Sequence, residues 1–247
     1  MPELKIKDKS PHCSKHVLPL VVGGLTITCE DNMELMSRYP DKHFDLAIVD
    51  PPYGINMDSG LDGVSSNSKK GKTFNSNNKR FTKKEWDKET PNLEYFTELQ
   101  RVSKNQIIWG GNYFTDKLPV SRGWIFWDKK ITNRTSPNFS DGELAWTSFD
   151  CILRRYEYDW IGFGYLNNPQ KEKKIHPTQK PVQLYSWLLQ TYAKQGDKIL
   201  DTHLGSGSIA IACHDYKFEL TACELDLEYF EKAKQRIINH VAQQSLF

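Results

Sequence analysis

The sequence predicts an α/β fold built on a doubly wound, mostly parallel sheet, and three observations predict it. Apolar and β-branched runs of strand length alternate with helical patterns over nearly the whole chain. One such run, Phe44–Val49, is apolar enough to be a strand buried on both faces, and it stops at Asp50-Pro51-Pro52-Tyr53. A second, Lys198–Asp201, leads into Gly205-Ser206-Gly207 and a helical pattern, the strand–turn–helix unit at which open α/β sheets bind ligands. A length of 247 residues suits one domain, 1–247, without internal repeats.

Taken in order, residues 1–16 are polar and read as loosely held. An apolar run, Val17–Val22, precedes Gly23-Gly24, and Leu25–Cys29 alternates as a strand. Asp31 or Asn32 caps a short helix carrying Met33, Leu35 and Met36. After the Phe44–Val49 strand, residues 55–90 are rich in Asn, Ser, Gly and Lys, a flexible basic loop beside the candidate site. Leu93–Val102 has helical spacing, and Gln106–Trp109 is a strand broken by Gly110-Gly111. Asn112–Leu118 reads as a short helix and Trp124–Trp127 as a strand. Glu143–Phe149 and Ile152–Tyr158 look like the two strands of a hairpin, within a small insertion spanning 129–175. His176-Pro177-Thr178-Gln179-Lys180-Pro181 precedes a helix, Val182–Ala193. The strand Lys198–Asp201, a helix Ser208–Tyr216, a strand Phe218–Cys223 closed by Glu224 and a last helix to about Val241 complete the pattern.

The formal charge of +2 excludes a polycation, so any grip on nucleic acid must come from local patches. The strongest is in the 55–90 loop: Lys69, Lys70, Lys72, Lys79 and Arg80, followed by Lys83, Lys84 and Lys88. A second is Arg154 with Arg155. A solvated lysine run is the plain explanation; a loop that grips a phosphate backbone is the sharper one, favoured by its place after the Asp50 strand. The five cysteines form no Cys-x-x-Cys pair and read as reduced thiols. No apolar run is long enough to span a membrane and no signal peptide is evident, so a cytoplasmic protein is expected.

Asp50-Pro51-Pro52-Tyr53 sets a carboxylate at the end of a strand, with prolines that stop the ladder and an aromatic ring behind them. That set suits an exocyclic amine on a flat ring. Asp50 can accept one N–H and the Pro51 carbonyl the other, which draws the nitrogen lone pair out of conjugation, while Tyr53 stacks on the ring.

The second constellation is a nucleoside site. Gly205 and Gly207 let backbone approach a ligand, and Glu224 at the end of the next strand can accept from ribose hydroxyls. Gly205-Ser206-Gly207-Ser208-Ile209-Ala210 also fits the dinucleotide pattern, so this unit alone leaves a nicotinamide cofactor open. Its late position leaves no room for a second mononucleotide half, and a dehydrogenase has no use for the Asp50 motif. A methyl donor with an amine acceptor accounts for both.

With both stretches in hand, the sequence resembles the amino-group DNA methyltransferases of bacteria and phages, in the β arrangement, over about residues 25–241. The resemblance implies a class I S-adenosylmethionine-dependent methyltransferase fold, Rossmann-like, with circularly permuted motif order. Asp50, Pro51, Pro52 and Tyr53 match the catalytic motif, and an Asp at its head is similar to the adenine-N6 members more than to the cytosine-N4 ones. His176, Thr178, Gln179 and Lys180 lie in the motif that packs on the methionine part of S-adenosyl-L-methionine. Asp201, His203, Gly205, Ser206 and Gly207 match the cofactor turn, Glu224 the ribose acid, and Asp31 the acid near the cofactor adenine. Thr202-His203 departs from the usual Pro-Phe, with His203 a flat ring in place of the phenyl. The resemblance further implies double-stranded DNA as substrate, target recognition by residues 129–175, a cytoplasmic bacterial or phage-encoded enzyme of a restriction-modification system with a cognate nuclease, a homodimer as in many relatives, and no metal. Cytosine-N4 methylation, and a catalytically impaired methylase fold that only binds DNA, stay open as alternatives.

Overall fold

The computed structural model describes residues 17–57, 84–129, 140–160 and 174–244. In chain order they form β1 (Leu20–Val22), β2 (Leu25–Cys29), α1 (Asn32–Ser37), β3 (Phe44–Val49), α2 (Leu93–Val102), β4 (Ser103–Trp109), β5 (Trp124–Asp128), β6 (Gly142–Thr147), β7 (Arg154–Glu157), α3 (Val182–Tyr192), β8 (Lys198–Asp201), α4 (Ser208–Tyr216), β9 (Glu219–Glu224) and α5 (Leu227–Gln244). Among the described residues the strands make one nine-stranded sheet in the order β1-β2-β9-β8-β3-β4-β6-β5-β7. The five strands from β2 to β4 are parallel, and β1 and β6 join them antiparallel.

The strand sequences dictate this layering. Alternate side chains of β3 go to opposite faces, so Leu46 and Ile48 join one core while Ala47 and Val49 join the other. The first core is completed by Leu184 and Leu188 of α3, Ile209 and Ala212 of α4, and Phe230 and Ile237 of α5. The second is completed by Leu35 and Met36 of α1 and by Phe96, Leu99 and Val102 of α2. Helices thus cover both faces, which is why the central strands read as unbroken apolar runs. The spacing of Leu99 and Val102 buries one side of α2, and Asn92 caps it by accepting from Tyr95 N. No described helix is long and apolar enough to cross a membrane.

The topology places a crevice. From β3 the chain crosses by α2 to β4 on one side, and from β8 it crosses by α4 to β9 on the other. β3 and β8 are neighbours, so the strand order reverses between them, at the carboxyl ends that carry Asp50 and Asp201.

Three expectations need correction. The segment Asn112–Leu118 is not a helix; only Gly111–Tyr113 makes a 3-10 turn, opened by Gly110 at φ 70°. Its rings are claimed by packing, Tyr113 on Tyr53 and Phe114 in the second core, and Pro119 follows at once. The strands near 143–149 and 152–158 do not form a hairpin. β5 lies between them, antiparallel to β6 and parallel to β7. Ile125 and Trp127 of β5 are buried and need a strand on each side, whereas β7 is mostly exposed and suits an edge. Cys29 is disulfide-bonded rather than reduced, while Cys151, Cys213 and Cys223 are free thiols. Most of the 55–90 loop and much of 129–175 lie outside the described residues, as do Lys69, Lys70, Lys72, Lys79 and Arg80.

Ile107 sits at 0% exposure in the middle of β4. Ile107→Ala should cost about 2–5 kcal/mol and lower Tm by roughly 5–15 °C, whereas Leu93→Ala at an exposed position should leave Tm nearly unchanged; differential scanning calorimetry reads both.

Candidate active site

Two cavities open at the carboxyl ends of the strands. The first, about 870 Å³, is lined by His203, Gly205 and Ser206 after β8, by Glu224 and Asp226 after β9, by His176, Thr178 and Gln179, and by Lys84, Trp86 and Tyr95. The second, about 630 Å³, is lined by Tyr53, Tyr113, Phe126, Trp127, Lys129, Glu143 and Trp160. Asp50, Pro52, Trp86, Thr178, Gln179 and Lys180 line both, so they form the wall between.

Asp50 is at the centre of a polar cluster on that wall. Tyr53 donates its hydroxyl to Asp50 Oδ1 at 2.6 Å, and Lys180 Nζ lies 2.5 Å from Asp50 Oδ2. Lys180 Nζ also reaches Glu143 Oε2 at 3.0 Å and donates to the Tyr53 hydroxyl at 3.2 Å. Glu143 Oε1 is held by Lys129 Nζ at 2.6 Å. Lys180 is buried at 3% exposure, and Trp109 and Tyr53 present ring faces to its ammonium at 5.4 and 5.6 Å. Burial works against the Lys180 charge, but Asp50 and Glu143 outweigh it and its pKa is raised. Burial also pushes Glu143 up, yet Lys180 and Lys129 outweigh that and hold it at about 2. Asp50 goes the other way: burial raises its pKa and Glu143 adds to the rise, against the pull of Lys180.

The turn after Asp50 is fixed from an unexpected quarter. Asp87, 2% exposed, accepts from Tyr53 N at 2.7 Å and Gly54 N at 2.9 Å with one oxygen, and from Met57 N at 2.7 Å with the other. Tyr53 is stacked on Tyr113, ring centroids 5.0 Å apart and 15° from parallel, so one ring face is covered by a half-exposed tyrosine. Gly110 is required beneath it: a Cβ there would fall 2.2 Å from Tyr53 Cε1.

In the first cavity, Glu224 accepts from Gly205 N at 2.8 Å and Asp226 N at 2.9 Å. Burial raises its pKa to about 7 despite those bonds. His203 is held by Thr202 Oγ1 at 2.9 Å and Asn32 Nδ2 at 3.2 Å, edge-on to Tyr95. Burial lowers its pKa to about 3, so it is a neutral flat ring. His176 is likewise neutral, lowered to about 3 by burial and nearby lysines, and packs between Trp86 and Tyr229.

Several expected residues are placed elsewhere. Asp31 does not line the cavity; its carboxylate caps α1 by accepting from Met33 N and Glu34 N, while Glu30, Asn32 and Met33 face the space. Asp201 lies beneath the turn and accepts from His203 N at 2.9 Å. Gly207, φ 73°, caps α4, where a Cβ would crowd Ile237 and Ala233. Lys84 is not a solvated lysine: it pairs with Asp226 at 2.6 Å and Glu228 at 2.9 Å, over the Tyr229 ring. Arg154 and Arg155 are exposed on β7, and Arg155 is paired with Asp128 and Glu157. Sequence reasoning missed Glu143, Lys129, Asp87 and Trp86. A lone acid in the apolar β6 pattern and a Trp-Asp pair inside a lysine-rich stretch were the available signals.

A family model described as a DNA methylase matches residues 69–235. The type II methyltransferase M2.MboI of Moraxella bovis is 27% identical over 83% of this chain and 84% of its own length. M.HpaI of Haemophilus parainfluenzae, also a type II methyltransferase, is 21% identical over 85% and 73%. Among solved structures, the M1.HpyAVI–SAM complex superposes with a TM-score of 0.52 at 19% identity, covering 86% of this chain and 99% of that one. The cytosine-N4-specific PvuII DNA methyltransferase does so with 0.52 at 12% identity, covering 89% and 92%. At these identities the structural likenesses show the fold.

Two outcomes follow from the geometry. Asp87→Ala strands three backbone N–H groups and should lower Tm by at least about 5 °C, with Asp87→Asn, which keeps one oxygen, losing less. Asp201 is pushed by burial to about 8 from an ordinary 3.8. Folded protein therefore holds a proton there that unfolded chain has lost, and stability falls as pH rises from about 4 to 8. Asp201→Asn should match the wild-type Tm at pH 4 and exceed it by a few degrees at pH 8 in a fluorimetric melt.

Proposed function

This chain belongs to the N6/N4 family of DNA methylases, which use S-adenosylmethionine, and from that premise we propose that it methylates the N6 amine of adenine in double-stranded DNA. The observation that carries the reading is Asp50 on the wall shared by two cavities, one with a nucleoside acid at its end and one walled by aromatic rings. An Asp rather than a Ser at position 50 is what the resemblance associates with adenine.

The residues of the first cavity fit the cofactor. Glu224 would take the ribose hydroxyls, Gly205 and Ser206 the close approach of backbone, and His203 the flat packing that a phenyl gives in relatives. The neutral state of His203 and His176 keeps further positive charge away from a cationic ligand. When bound, S-adenosylmethionine supplies an electrophilic methyl group on a sulfonium. A target base is locked in its pair and must be flipped out, at a cost of a few kcal/mol. The second cavity receives it, its ring taking over the stacking that Tyr113 gives Tyr53. Asp50 and the Pro51 carbonyl accept the two amine N–H bonds and aim the nitrogen lone pair at the methyl carbon. With the cofactor bound, Asp50 and the Pro51 carbonyl would hold the amine nitrogen in line with the transferable methyl group and would steady the positive charge that the nitrogen carries until it loses its proton to solvent. With Asp50 hydrogen-bonded throughout, no strong base is called for.

The same reading takes residues 1–247 as one catalytic domain, with 129–175 as target recognition and Lys69, Lys70, Lys72, Lys79, Arg80, Arg154 and Arg155 as phosphate contacts. Cytosine-N4 is the second reading, since the amine chemistry is shared.

Amplified, hence unmethylated, DNA treated with protein and tritiated cofactor should yield N6-methyl-2′-deoxyadenosine on digestion and mass spectrometry; N4-methyl-2′-deoxycytidine would reverse the base assignment. Asp50→Ala should cut transfer at least 10³-fold with the cofactor Kd within about twofold by calorimetry, the pattern of a group used in the transition state. Glu224→Ala should instead weaken cofactor binding.

A further inference from the structure

Asp50 is crowded by a partner it must give up. Resting on the reading of Asp50 as the acceptor for the target amine, we propose that Glu143 is a positioning residue that takes over the Lys180 ammonium when the amine arrives. In the structure Lys180 Nζ is 2.5 Å from Asp50 Oδ2 and already 3.0 Å from Glu143 Oε2. A shift of about half an ångström toward Glu143 turns the longer contact into a full charge-assisted bond. Asp50 then regains the lone pairs that Lys180 occupies and draws on. Glu143 is built to receive the ammonium and not to move itself. It stands on β6, opposite Trp127 of β5, and its other oxygen is fixed by Lys129 at 2.6 Å. Tyr53, accepting from Lys180 at 3.2 Å, keeps a third contact through the shift. The net charge of the cluster is the same before and after the exchange, two ammoniums with two carboxylates, and Asp50, relieved of Lys180, keeps the Tyr53 hydroxyl and gains an amine N–H. When the nitrogen gains the methyl and becomes cationic, Asp50 is free to pair with it until its proton leaves.

The test uses Glu143→Gln, Glu143→Asp, Lys180→Met, Glu143→Gln with Lys180→Met, and Asp50→Ala, with single-turnover transfer of tritiated methyl to amplified DNA. Glu143→Gln should slow transfer at least tenfold with the cofactor Kd within twofold. Glu143→Asp keeps the charge but withdraws it by one methylene, and should slow transfer about threefold. The double variant should be no slower than Lys180→Met alone, because no ammonium remains to relocate. The acid limb of the rate–pH profile should move down in Glu143→Gln and up in Lys180→Met. The groups that set it are Asp50, Tyr53, Lys129, Glu143 and Lys180, with Asp201 and Tyr185 behind them. Wild-type rates in both Glu143 variants, or losses that add in the double variant, would overturn the proposal. An active Asp50→Ala would instead remove the reading beneath it.

Discussion

A buried ion pair, Asp50 with Lys180, is the contact on which the site depends. It joins the end of the central strand β3 to the segment entering α3, residues 130 positions apart in sequence. Its supports run deep. Ser208, the first residue of α4, donates to the Lys180 carbonyl at 2.7 Å, and Arg236 of α5 donates to Ser206 O and Ser208 Oγ. One lysine is thereby tied to the Gly205–Gly207 turn, to α5 and to the Asp50 carboxylate. Losing one partner from such a pair typically costs about 3–5 kcal/mol, because the other charge is left buried alone. The rigidity this gives is what a methyl transfer requires, since a displacement in line tolerates little misplacement.

The sheet follows from the same economy of contacts. Parallel strands bury both faces, so their carboxyl ends are the nearest place where polar side chains can gather. Asp50, Asp201 and Glu224 each stand at such an end. Of these, Asp201 and Glu224 lie in surroundings that favour the protonated acid, raised to about 8 and 7 by burial. A cationic ligand in the first cavity, which Glu224 lines, would favour their charged forms.

Much of this was legible in the chain. The core strands and helices announced themselves because their apolar periods are strong: α2, α4 and β3 occupy the residues their patterns indicate. The Asp50 motif and the Gly205 turn were legible because prolines and glycines encode backbone geometry locally. What escaped were partnerships made across the sheet. Nothing near Glu143 in sequence says that β6 will lie beside β4, or that β5 will separate it from β7. Asp87 sits among residues whose composition reads as loop, and only the fold shows three amides converging on its carboxylate. Asp31 caps α1, as its position suggested, and its neighbours Glu30, Asn32 and Met33 are the residues of that segment that line the first cavity.

The common wall of the two cavities has a thermodynamic consequence. Asp50, Pro52, Trp86 and Lys180 belong to both spaces, so any adjustment they make on filling one reshapes the other. Linkage then demands symmetry: whatever factor a ligand in one cavity exerts on the affinity for a ligand in the other, the second returns in full on the first. Two ligands that share a wall hold affinities that depend on one another, and the size of that dependence is one number for both.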